Sequence, residues 1–367
     1  MAAGILPRCG AAGEALIGKR SLKAGQSMCG KYKGAFAGVK HDGKARKEVH
    51  LFRRYYQCMF ICDSCFAVGA SVHSPPALYY ANWQPGALYM ATRLDQATYE
   101  AIEVDPSPFM KIPGWTSAAC FWDHLHVIWL GFARDLVGSV LVEFYTHSFV
   151  EAGSEEECYQ RLTAMFRAWC ATRGIKPVRG WFNKASLGIT NNEFPELASW
   201  FKAVHIKIIV MWLADQAQVF TRQGSEHDDF RCVCLWSLAE YSRVLDRAAE
   251  HSVMLSSSAK RKALNAGFQF LRSYQWLACN ARAHNCKLYF VRPKLHAFWH
   301  ILVDCVAHGL NPVRVQCNVD ESYMHTLKRI GKHCAGSNAC MTAVLLRYRI
   351  GRAIKMEMRR RVLDVAR

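Results

Sequence analysis

The sequence predicts a mostly helical α+β protein, on three observations. From about residue 123 onward, apolar side chains recur at helical spacing between residues that cap helices. Ahead of that, strand character is confined to one short stretch, GAFAGVKHD (34–42), which ends at Asp42. Between the two lies CDSC, with Cys62 and Cys65 on one tight turn, followed by a proline-rich connection.

Residues 1–33 are rich in Gly, Ala and Lys, show no periodicity, and read as a flexible basic arm. Segment 34–70 joins the short strand to a helix, KARKEVHLFRRYY, that leads into the cysteine turn. Residues 71–122 contain Pro75, Pro76, Pro85, Pro106, Pro108 and Pro113 and read as an irregular connection. A helical body follows over 123–290. SEEECYQRLTAMFRAWCATRG has a capping box, Ser154 with Glu157, then apolar Leu162, Met165, Phe166 and Trp169, and a stop at Gly174. FPELASWFKAVHIKIIVMWLAD sets Leu197, Trp200, Phe201, Val204, Ile208 and Met211 on one face. SLAEYSRVLDRAAEHS offers a second box, Ser237 with Glu240, and SSSAKRKALNAGFQFLRSYQWLACNA is a further helix. Segment 291–367 holds the helix PKLHAFWHILVDCVAHG and a basic helix over roughly 321–361.

Composition narrows the function. Of 367 residues 51% are hydrophobic, with 11 Trp and 19 Phe, enough apolar side chain to offset folding entropy and exclude a disordered chain. The formal charge of +18 favours a polyanionic partner, nucleic acid ahead of a membrane surface, without choosing between DNA and RNA. The 16 cysteines show no disulfide framework and no secretory leader is read, so they are expected reduced in a nuclear or cytosolic protein. Residues 1–47 hold ten Lys/Arg against Glu14 and Asp42, a bias shared with organellar transit peptides. That reading is set aside because the aromatic-rich fold begins near Gly34. No apolar run of the ~20 residues a membrane span requires is read.

Two thiolates on one turn occupy two corners of a tetrahedral zinc site. PKLHAFWHIL offers the other two, because His296 and His300 stand at i, i+4 and share a helical face. Ala297 occupies the place of the general-base Glu of an H-E-x-x-H protease, so the pairing reads as structural. It would join segments 231 residues apart. The alternative is a stray C-x-x-C and two unrelated histidines. Acids are scarce, so those in apolar or basic surroundings stand out: Asp42 at a strand end, Asp123 in FWDHLHVIWLG with His126 three residues on, and Asp320 with Glu321 opening ESYMHTLKR. Carboxylates at a strand end and on a helix are a common way to hold Mg²⁺ for phosphoryl transfer. Asp123 and Asp320 are equally suited to capping the helices that follow them.

The order of these segments resembles the DDE transposases of the CACTA/EnSpm-like group, closest to divergent relatives in protist genomes, including dinoflagellates. DHLHVIWLG is similar to that family's D-x-M-H-x-x-x-L-G, with Leu125 in the Met slot. KLHAFWH, GLNPVR and ESYMHTLKR echo its late K-x-H-L-L-x-H, Gly-Pro-Leu-Arg turn and acidic helix. The resemblance covers roughly residues 34–350 and rests on the order of motifs. It implies an RNase H-like core interrupted by a helical insertion, with Asp42 as the second catalytic carboxylate and Glu321 as the third. It also implies that zinc on Cys62, Cys65, His296 and His300 fixes the insertion to the core. His126 and Asp320 are expected to be structural neighbours of the acids beside them. Only 41 residues precede Asp42, none of them Asp, so the core is expected incomplete, lacking the first aspartate.

The expected function is therefore a transposase-derived, zinc-binding protein that holds nucleic acid, DNA before RNA, without cleaving it. Phosphate contacts are expected from Lys260, Arg261 and Lys262, from Lys328, Arg329 and Lys332, and from Arg359, Arg360 and Arg361. Two alternatives are a zinc-stabilised helical scaffold for RNA or protein, and an active Mg²⁺-dependent nuclease using Asp42, Asp123 and Glu321.

Overall fold

The computed structural model describes residues 38–69, 76–84, 86–95, 114–176, 182–189 and 193–317, together with Ala15, Ile17, Ala97, Thr98, Ala101, Ser107, Met110, Ile112, Gly180, Ile330 and Tyr348. The chain divides into two compact units, Met1–Val315 and Gln316–Arg367. All that follows concerns the first. Apart from Ala15 and Ile17, the basic arm 1–33 lies outside the described residues, as does the basic helix over 321–361 apart from Ile330 and Tyr348.

The described part is mostly helical, as expected. Its one sheet has two strands, β1 (Val39–His41) and β2 (Cys120–Trp122), paired in parallel with Val39 opposite Cys120 and His41 opposite Trp122. β2 is a strand that the proline-rich reading of 71–122 did not contain. Helix α1 (Gly43–His50) leaves β1 directly and stops at His50 instead of running on to Tyr56. Leu51 turns the chain with φ 58°, which carries Phe52 into a small cluster with Trp115 and Cys120.

After β2 the chain winds into wide π-type turns over Leu125–Phe132 and then the regular helix α2 (Ala133–Thr146). Gly131 breaks the helical backbone between them, at φ −123° and ψ −126°. A Cβ there would sit 2.6 Å from Lys294 Cδ and 2.8 Å from the His126 carbonyl oxygen, so only glycine lets these segments meet. Leu125–Thr146 is, among the described residues, the one helical stretch long and apolar enough to cross a membrane. The sequence reading passed over it. Its mean hydropathy of 1.5 has a direct cause: 78% of that window is buried, with Leu136, Val137, Val140, Leu141 and Phe144 fully enclosed.

Helices α3 (Glu155–Thr172) and α4 (Ala203–Gln216) pack against α2, and α5 (Glu226–His251) and α6 (Ser257–Ala283) form the most extensive helix pair. The Ser154–Glu157 cap forms: Ser154 Oγ accepts from the Glu157 amide at 3.2 Å, while Glu157 Oε2 accepts from Gly153, one residue earlier than a strict box. The second box does not. Ser237 lies inside α5, whose cap is Ser225 accepting from the Asp228 amide. Buried Leu235 and Leu238 continue one apolar face through Ser237, and extending a helix costs less than nucleating another. The face assigned over 194–215 also fails. α4 starts only at Ala203, Trp200 and Val204 are exposed, and Ile206, Ile209, Val210 and Leu213 are the buried set. Helix α7 (Pro293–His300) continues through wide turns over Ile301–Val306 and packs against the Leu125–Phe132 segment. Arg292 fixes its start by a bidentate pair with Asp135 of α2, at 2.6 and 2.8 Å. None of the twelve described cysteines forms a disulfide.

Candidate metal centre

Cys62 and Cys65 sit on a tight loop held by an antiparallel bridge between Phe60 and Val68. His296 and His300 project from α7 one turn apart, and all four residues are at most 1% exposed. Their ligand atoms lie within 4.8 Å of one another, with Cys62 Sγ 3.2 Å from His300 Nε2 and Cys65 Sγ 3.2 Å from His296 Nε2. A tetrahedral zinc with ordinary Zn–S and Zn–N lengths needs ligand spacings of about 3.4–3.8 Å, which these positions meet with small adjustments. Two thiols and two imidazoles enclosed in an apolar core are a donor set for one soft or borderline divalent ion. The juxtaposition expected from spacing alone is present, and the site can hold a metal such as zinc.

The surroundings prepare each ligand. The Ser64 and Ala67 amides point at Cys62 Sγ and Cys65 Sγ, at 3.3 and 3.4 Å, where they offset thiolate charge. Burial pushes the Cys62 thiol up and the His300 imidazole down from their ordinary values, so without a cation both are neutral. His300 Nδ1 donates to Asp304 Oδ2 at 2.7 Å, which leaves Nε2 as the free ligand nitrogen. Asp304 in turn is paired with Arg93. His296 Nδ1 finds no partner among the described residues, and its ring meets the edge of Tyr89 at 4.9 Å.

A second group of residues lies beside this centre. Asp42 directly follows β1 and Asp123 directly follows β2, so two carboxylates leave the carboxyl ends of adjacent parallel strands. Both line a cavity of about 580 Å³ together with His126 and the cations Lys44, Lys47, Arg54 and Lys294. Asp123 does cap the turns after it: its carbonyl accepts from Val127, and Oδ1 accepts from the Leu125 amide at 3.2 Å. Its other oxygen pairs with His126 Nδ1. Arg46 bridges the two places. Its guanidinium clasps Asp63, between the metal-site cysteines, at 2.6 and 2.7 Å and donates to the Cys120 carbonyl of β2 at 2.6 Å.

Of the remaining candidates, Lys260, Arg261 and Lys262 stand in the first turns of α6, the last two exposed. Asp320, Glu321, Lys328, Arg329, Lys332 and Arg359–Arg361 lie outside the described residues. Sequence reasoning missed Asp304 and the Arg46–Asp63 clasp. The first had a signal, since it stands at i+4 from His300. The second had none, because 17 residues and a turn separate its members. No protein-family model matches the chain, and neither a curated protein nor a solved structure matches it.

Proposed function

We propose that this chain processes nucleic acid at a metal-dependent phosphodiester site of the DDE transposase type, in which Asp42 and Asp123 are the first two carboxylates. The observation that carries this reading is the register of β1 and β2, which puts both acids beyond the carboxyl ends of paired parallel strands, where α/β folds gather ligands. On this reading Asp42 takes the first position, and its partner comes downstream, from a strand the sequence reading had not drawn. Glu321, which the resemblance implies as the third acid, lies outside the described residues. Hard carboxylate oxygens in a cavity walled by Lys44, Lys47 and Lys294 suit Mg²⁺ with a phosphate. Mg²⁺ held by Asp42 and Asp123 would supply charge stabilisation at the transferring phosphoryl group. The cations orient the strand, and His126 holds Asp123 in place.

The Cys62, Cys65, His296 and His300 centre is proposed to bind zinc structurally, since four protein ligands leave no open position for a substrate. The test is cleavage of DNA substrates by purified protein with Mg²⁺ or Mn²⁺, compared with Asp42→Asn and Asp123→Asn. Metal-dependent nicking lost in both variants supports the reading. DNA binding without nicking, unchanged in either variant, returns the chain to a non-cleaving nucleic-acid binder.

A further inference from the structure

A second cavity, of about 970 Å³, lies between α5, α6 and the turn around Trp83, with Trp299 of α7 in its wall. Its walls combine three kinds of group. Trp83, Trp236, Phe268 and Trp299 supply aromatic surface, Asn265 and Gln269 supply amides, and Lys262 and Arg272 supply exposed cations with Glu240 as the single acid. Trp236 is 47% exposed yet held by a hydrogen bond from its indole Nε1 to the Ala214 carbonyl at 2.8 Å. Neither Trp236 nor Phe268 pairs with another ring among the described residues. Trp83 is 4% exposed, and its indole Nε1 finds no acceptor among those residues. Lys262 and Arg272 have no carboxylate partner there either.

A fixed, half-exposed indole is an unusual use of a large apolar side chain unless something stacks on it. Flat rings, hydrogen-bonding amides and adjacent unpaired cations together match a nucleobase carrying its phosphate. We propose that this cavity binds a nucleobase with its phosphate, stacked on Trp236, with Lys262 and Arg272 on the phosphate. The source is either a free nucleotide or an unpaired base of a nucleic-acid strand. The proposal is independent of cleavage at Asp42 and Asp123, so Asp42→Asn protein serves as well as wild type.

The test uses full-length protein and two probes: deoxyadenosine monophosphate read by titration calorimetry, and labelled single-stranded oligothymidine read by anisotropy. Binding of the monophosphate identifies a nucleotide site, and binding of the oligothymidine alone identifies a strand site. In either case Trp236→Ala should weaken binding about tenfold or more while Trp236→Phe retains most of it. Lys262→Ala with Arg272→Ala should weaken binding and flatten its salt dependence. Both lysine and arginine are exposed, so this pair reports even if Trp236→Ala does not fold. The proposal is overturned if wild type binds neither the monophosphate nor the oligothymidine. It is equally overturned if the folded Trp236→Ala protein, or the Lys262→Ala/Arg272→Ala protein, binds as wild type does.

Discussion

Asp304 shows how much of a metal site is decided by a residue that never touches the metal. By accepting from His300 Nδ1 it fixes the tautomer and aims Nε2 at the cysteines. Replacing Asp304 with Ala should weaken zinc binding about 10–100-fold, read by competition with a chromophoric chelator, while the fold persists. Glu143 is the opposite case, a buried carboxylate that carries structure. It accepts from His227, Arg231 and Tyr289 at 2.7–2.9 Å. Burial alone would raise its pKa, but the hydrogen bond from His227 and the charge of Arg231 outweigh it and hold it below the ordinary 4.5. Its ionised form therefore stabilises the fold fully above that value, and the contribution is lost as pH falls through the lowered pKa. Burial would likewise lower His227, but Glu143 raises it above 6.5, so its share is complete below 6.5 and fades as pH rises through the raised pKa. Glu143→Gln leaves buried Arg231 with Asp228 as its remaining anion, at 3.0 Å, and should cost about 1–3 kcal/mol in urea unfolding. The difference from wild type should be greatest between the two ordinary values and shrink in more acid solution. A difference that grows on acidification would refute the assignment.

Among elements, α2 is the one whose closest neighbour is backbone. A Cβ on Gly138 would lie 2.8 Å from the Pro195 carbonyl carbon and 2.9 Å from the Glu196 nitrogen, atoms that cannot swing aside. Gly138→Ala should cost about 1–3 kcal/mol, a loss that urea titration will register as a lower midpoint at unchanged slope. The same segment explains one failed reading. The non-helical chain at 194–202 lies against α2 and is tied by Leu197, whose carbonyl accepts from Arg134. A helical period drawn through Trp200 therefore described residues outside the helix. β2 was illegible for a different reason. Three residues, CFW, are too few to display a period of two, and their partner strand ended 78 residues earlier. The metal ligands were legible because each half is local, a turn of C-x-x-C and a helical i, i+4 pair. Their meeting was the inference.

For the molecule as a whole, the cysteine loop and α7 come from opposite ends of the described chain, and the core closes where they meet. A metal ion there would tie a loop of more than two hundred residues, so its binding free energy would also be folding free energy. Strong chelation, or Cys65→Ser, should lower the melting temperature by at least several degrees and leave the protein more open to protease. Restoring zinc should reverse the first treatment and not the second. Elemental analysis should find one zinc per chain in wild type and none in either Cys65→Ser or His300→Ala; a full zinc content in the variants would remove the assignment.

Arg46 gives this architecture a thermodynamic consequence. One guanidinium, enclosed at 2% exposure, holds Asp63 between the cysteines and the carbonyl of Cys120 three residues before Asp123. Lysine has a single point charge and cannot span both. If the cysteine centre holds zinc and the strand-end acids hold Mg²⁺, as proposed, a strut that touches both places can couple them, and whatever one gains from occupancy at the other must be returned in equal measure. Mg²⁺ at the strand ends should then slow the escape of zinc from the cysteine loop, and zinc should tighten Mg²⁺ by the same factor. In Arg46→Lys that factor should fall towards one, with the two ions behaving as strangers on a common surface.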